Sequence, residues 1–180
     1  YNIVFSTLLV GCFSIRYKPV KLDSPPPLVA MTMGRCPGRL DVPTSCAVLV
    51  QAKEWTSHTG IHVEAGETYC IKVPSNQVWF DEKRRNIPPK GEPDDWPMNL
   101  AQKRHPDAGF FSLIVNTLTD VDRVLGDGHS VEKNDRYQTK SSGEIVFYAN
   151  DAVGSLADPS YFYNNNSGQI WVLVQRCIIK

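Results

Sequence analysis

Gly143-Glu144-Ile145-Val146-Phe147-Tyr148-Ala149 is a largely apolar run that ends in Asn150-Asp151, and Asn164-Asn165-Asn166-Ser167-Gly168 leads into a second apolar run from Ile170 to Val174. Taken as strand, loop, strand, the pair delivers one carboxylate and several amide carbonyls to one rim of a sheet. Hard oxygen donors gathered this way suit calcium, which takes about six to eight oxygens at about 2.3–2.6 Å and tolerates irregular geometry. Asn, Asp, Gly and Ser are also the ordinary residues of hairpin turns, so the same letters read as a loop without an ion.

The elements that would position such a rim are strands. Residues 46–53, 61–73, 110–118, 143–150 and 169–179 are rich in Val, Ile, Phe, Tyr and Thr and are bounded by Gly, Pro, Asn or Asp. Ile61-His62-Val63 and Tyr69-Cys70-Ile71-Lys72-Val73 alternate as half-buried strands do. No segment carries a clear amphipathic helix; at most Asn99 to Lys103 makes one turn. Short strands between turn-rich loops predict an all-β, antiparallel sandwich or jelly roll. Consecutive prolines at Pro25-Pro26-Pro27 impose extended geometry and mark a linker. We therefore divide the chain into an apolar arm with its linker at 1–30 and a sandwich domain at 31–180. The stretch from Pro74 to Gly109 is long for a loop, and it holds Trp79, Phe80, Trp96 and His105. Long loops in compact domains tend to be functional. Its tryptophans offer stacking faces to a ligand or fill core beneath the loop; the sequence leaves both open.

Composition removes several function classes. Lysine plus arginine and aspartate plus glutamate each number 19, so the net charge is zero and nothing favours nucleic acid or an anionic membrane surface. No Gly-x-Ser-x-Gly elbow, phosphate-cradling glycine loop or dinucleotide fingerprint occurs. His105 and Asp107 lie two apart on a proline-kinked loop with no evident nucleophile, so we read the protein as a non-enzyme. Asp120, Asp122 and Gly126-Asp127-Gly128 lack EF-hand spacing and read as a hairpin turn. With Cys12 set aside, Cys36, Cys46, Cys70 and Cys177 allow three pairings. Cys36 with Cys46 would staple the start of the domain and Cys70 with Cys177 would bridge strand-like runs; buried free thiols are the alternative. Pairing would place the chain in an oxidising compartment, extracellular or periplasmic.

Residues 3–15 are almost wholly apolar or small, too short for a span of about 20 residues. They are similar to a signal-peptide core, and Leu9-Val10-Gly11-Cys12 resembles a lipobox, which offers a membrane anchor at the N-terminus. Our expectation is that the arm stays in the mature chain and is covered by a membrane or a neighbouring subunit, so that residues 1–22 mediate a homo-oligomer or dock on a partner subunit.

Four blocks in order resemble the PA-I galactophilic lectin family of calcium-dependent, galactose-binding β-sandwiches. They are Thr59-Gly60-Ile61-His62-Val63-Glu64-Ala65-Gly66-Glu67, Trp79, His105-Pro106-Asp107-Ala108-Gly109, and the C-terminal pair of runs with Asn150-Asp151 and Asn165-Asn166-Ser167-Gly168. The resemblance covers roughly residues 47–176. It implies a calcium ion held by the side chains of Asp151, Asn165 and Asn166 and by backbone carbonyls, one from Phe162 and one from the loop at Trp79 to Glu82. It further implies a galactose-like carbohydrate ligand, met by His105 and Asp107 of the sugar loop, by Trp79 and by Asn150. The family's Gln is Ala108 here, and the loop from Asp151 to Asn165 is longer than the family's, with Asp158-Pro159-Ser160-Tyr161-Phe162-Tyr163 inserted. Both departures touch sugar binding more than calcium. The competing reading is a structural or assembly subunit that keeps the sandwich as a scaffold and docks through its arm.

Overall fold

The computed structural model describes residues 36, 38–42, 44–82, 86–92, 102–119, 128–131, 135–154 and 158–177. The arm and linker at 1–30, Cys12, Trp96 and the turn at 120–127 lie outside them. Among the described residues nine strands form two sheets: β1 (Ser45–Gln51), β2 (Ser57–Val63), β3 (Thr68–Lys72), β4 (Lys90–Glu92), β5 (Phe110–Leu118), β6 (His129–Ser130), β7 (Arg136–Gln138), β8 (Gly143–Ala149) and β9 (Gln169–Arg176). One sheet runs β1-β9-β3-β7 and the other β2-β8-β5-β4, with β6 added to β5. Every pairing between these strands is antiparallel. The all-β sandwich expected from the sequence is the observed architecture.

Period-two side-chain alternation explains the layering. Val48 and Val50 of β1 face the interior with Val172 and Ile170, their register partners on β9. From the opposite sheet Leu113 and Val115 of β5 and Ile145, Phe147 and Ala149 of β8 meet them. The odd positions of β8 fill this core, yet Val146 and Tyr148 are buried as well. Tyr148 forms a second, smaller cluster with Ile114 and Ala108 on the outer face of its sheet. That face is therefore roofed by the loop carrying Ala108.

Three differences from the sequence reading have local causes. The run 61–73 is two strands, because Gly66 adopts a φ of +87° and turns the chain between β2 and β3. The stretch 74–109 is pinned by short bridges from Trp79 to Ile87, Phe80 to Ser167 and Lys103 to Ala152, and it contributes β4. The segment after Asp151 contains a 3-10 helix at Tyr161–Asn165. Two disulfides close the domain, Cys36–Cys46 and Cys70–Cys177, with Cα atoms 5.9 and 5.4 Å apart. Among the described residues no helix is long and apolar enough to cross a membrane.

Trp79 is fully buried, and its indole Nε1–H donates to the Phe111 carbonyl at 3.0 Å. Phe111 takes a φ of +60°, which breaks strand alternation and lets Phe110 and Phe111 both turn into the core. Trp79→Phe should cost about 2 kcal/mol, from the orphaned carbonyl and the lost ring volume. Chemical unfolding measures it; an unchanged midpoint and slope would show that the bond contributes nothing.

Candidate functional site

Asp151 lies two residues past Ala149, the last residue of β8, where the chain leaves the sheet. Its side chain is held from two directions: Oδ1 accepts from the Ala152 N–H at 2.7 Å, and Oδ2 accepts from Asn166 Nδ2 at 2.8 Å. Asn166 caps the 3-10 helix, its N–H donating to the Tyr163 carbonyl at 3.2 Å. Tyr163 ties that helix back to β8, its hydroxyl donating to the Ala149 carbonyl at 2.7 Å. The inserted loop is thus clamped onto the rim by its own buried tyrosine. Phe162 is half-buried against the core and edge-on to Tyr161, so only its carbonyl is suited to an ion.

A second carboxylate reaches the same place. Phe80 and Ser167 exchange backbone hydrogen bonds at 2.9 and 2.8 Å, which carries Asp81 to the rim, where Asn165 Nδ2 donates to its Oδ1 at 3.0 Å. Gly168 is required next to this bridge: at its φ of +92° a Cβ would stand 3.0 Å from the Phe80 ring and 3.1 Å from the Trp79 Cα. Asp81 sits within the loop that the sequence left unresolved between Trp79 and Glu82. No pattern in the letters singles it out, because its position depends on the backbone bridge between its neighbour Phe80 and the distant Ser167.

Asp151, Asn165, Asn166 and Asp81 are therefore brought together. Burial is the main cause that pushes the Asp151 carboxyl up to about 6, with the Asp81 charge adding to it against the opposing bonds from Asn166 and Ala152. The Asn166 Oδ1 is buried without a hydrogen-bond partner. An orphaned amide oxygen beside two mutually repelling carboxylates is a donor set that fits a calcium ion. Among the described residues no group of three or more His, Cys, Asp and Glu side chains could hold a metal. The set is mixed carboxylate and amide oxygen, a chemistry that suits calcium better than zinc.

The 104–109 loop lies against the same strand end. The Arg104 N–H donates to the Asp151 carbonyl at 3.0 Å. Asn150 is fully buried beneath the loop: Oδ1 accepts from the His105 N–H at 2.7 Å, while Nδ2 donates to the carbonyls of His105, Ala108 and Gly109 at 2.9, 3.1 and 3.0 Å. Neither Asn150 nor Trp79 offers a surface to a ligand; one braces the loop and the other fills core. The His105 ring turns onto the outer face of its sheet, beside Ile114, Tyr148 and Gly128. Its Nε2 donates to the Gly128 carbonyl at 2.8 Å, because a carbonyl only accepts, and the buried Nδ1 has no hydrogen-bond partner. Asp107 is exposed on the same loop.

No family model matches the chain, and no curated protein matches it. Among solved structures it is similar to a chain described as "EclA N-terminal domain; PllA-like lectin", at 21% identity and a TM-score of 0.43, over 73% of this chain and 95% of that one.

Proposed function

We propose that the protein is a calcium-dependent carbohydrate-binding module of the galactose type, exported and non-catalytic. The observation that carries it is the convergence of Asp81, Asp151, Asn165 and Asn166 on one rim with the Asn166 Oδ1 left unpaired and buried. Asp151 and the two asparagines are the residues that the resemblance to the galactophilic lectins marks as calcium ligands. Held there, the ion would offer vicinal sugar hydroxyls its open coordination positions. The chain's own part is to keep the donors fixed: Tyr163 holds the helix, Asn150 holds the 104–109 loop, and Ala152 orients the Asp151 carboxylate. Where the family has a glutamine, Ala108 is buried against Tyr148 and Ile114 and brings no amide to a sugar, so galactose is expected to bind weakly, about 1–3 kcal/mol short of a fully bonded site. The two disulfides support export, since such bonds persist in oxidising compartments.

Calorimetry with calcium, then with galactose in calcium or in chelator, tests this reading. Calcium should bind with a Kd of roughly 10⁻⁴ M or tighter, in the range of extracellular modules and above. Asn166→Leu should weaken it about tenfold or more by removing a ligand oxygen. Absence of any calcium heat and of any shift in Tm would sink the ion, and tight galactose binding in chelator would sink the calcium dependence.

A further inference from the structure

Next to the 104–109 loop lies a cavity of about 650 Å³ on whose wall stand Arg104, His129, Arg136 and Lys140. Among the described residues lining it there is no carboxylate. In a chain with no net charge, Arg104, Arg136 and Lys140 bring like charges to one concave wall, which focuses their field.

Arg104 distinguishes this cavity from a merely solvated basic patch. Its side chain is only 4% exposed, although arginine is seldom buried without a partner. The guanidinium is clamped between two rings, with its Cζ 3.9 Å from the Trp55 centroid and 3.7 Å from that of Tyr148. It donates to the Trp55 carbonyl and to Thr56 Oγ1, and it bonds the Tyr163 hydroxyl. These partners fix the plane of the group without neutralising it, and no carboxylate among the described residues pairs with it. A planar fork with five donors keeps capacity beyond these acceptors, and it matches the two oxygens of a carboxylate. The rest of the wall is neutral and mixes hydrogen-bonding residues such as Thr56 and Asn116 with apolar ones such as Leu118 and Val146. A volume of this size admits a monosaccharide.

We propose that this cavity binds an acidic sugar, a hexuronate whose carboxylate is taken by Arg104 and whose hydroxyls meet the neutral polar wall. It lies beside the Asp151 rim and needs no ion there, so the test is run in chelator and its result stands apart from that of the calcium reading.

Glucuronate, glucose and inorganic sulfate are titrated into the intact protein at low salt. Glucuronate should bind, sulfate more weakly, and glucose at the same concentrations not at all. Arg104→Gln should weaken glucuronate about tenfold or more, the loss of charge-assisted bonds to a buried carboxylate. Because Arg104 is buried, that variant can lose the fold; Lys140→Gln, at an exposed position on the lip, keeps it and should weaken binding about two- to fivefold with a shallower salt dependence. Equal responses to glucose and glucuronate, or none to either, would overturn the proposal. Sulfate binding as tightly as glucuronate would reduce the cavity to an anion hole and remove the sugar. Lys140→Gln with unchanged affinity and unchanged salt dependence would move the binding elsewhere.

Discussion

Replacing Asn150 with alanine is expected to destabilise the protein by about 3–5 kcal/mol, although the residue touches no other side chain through its amide. The amide makes four hydrogen bonds, all to backbone groups of His105, Ala108 and Gly109. Alanine would leave one buried N–H and three carbonyls without these partners, in a place where Asn150 itself is wholly excluded from solvent. Asn150→Asp is expected to be as damaging, since a carboxylate accepts from His105 but cannot donate to three carbonyls, and the substitution would bury an ionisable group. A residue that merely met a ligand would instead lose binding and keep its stability. Chemical unfolding separates the two, and trypsin supplies a local readout: with the loop released, the buried Arg104 becomes a cleavage site. An Asn150→Ala protein with native stability and a protected Arg104 would show that the loop is held by something else.

The same residue shows why the sandwich was legible in the letters and the site only partly so. Strand identity is written in period-two burial, and β5 was predicted at 110–118, the limits it has in the structure. Likewise β8 and β9 began where the apolar runs begin. The short strands β4, β6 and β7 were not predicted, because two or three residues give no period to read and their pairing is imposed by long-range partners. That Asp151, Asn165 and Asn166 come together at a strand end was legible, since each belongs to a run whose ends are visible. Asp81 and Arg104 were not: one reaches the rim through the Phe80–Ser167 bridge, the other is buried by Trp55 and Tyr148, and both facts depend on contacts between distant segments. Asn150 and Trp79 were noticed for their type, but their place beneath the surface follows from packing that no local pattern encodes.

The Asp151 carboxyl gives calcium and protons opposite effects on the same fold. Its folded value, pushed up to about 6 from 3.8 chiefly by burial, means that without calcium the folded state holds its proton more tightly than the unfolded chain does. The associated stability is fully present below pH 3.8 and is lost as the pH rises through about 6. In chelator the protein should therefore lose about 2–3 kcal/mol between pH 4 and pH 7 from this group, or about 5–10 °C in Tm for a chain of this size. Glu67 and Glu144 work the other way. Burial pushes both up, but for Glu67 the Glu64 N–H and the Tyr69 hydroxyl, and for Glu144 His58 and the Gly60 N–H, hold them below the usual value, so their stability falls as the pH drops. The Asp151 contribution is isolated as the difference between the wild type and Asp151→Asn. That difference should slope downward with pH in chelator. In calcium it should turn over, because the ion binds the carboxylate and stabilises only the folded state, by about 2.7 kcal/mol at a hundredfold excess over Kd. Below pH 6 protons compete for the same oxygens, and the apparent Kd for calcium should rise about tenfold per pH unit. A difference curve that is flat in chelator and unmoved by calcium would mean that Asp151 is paired by another cation-bearing group and that the rim holds no ion.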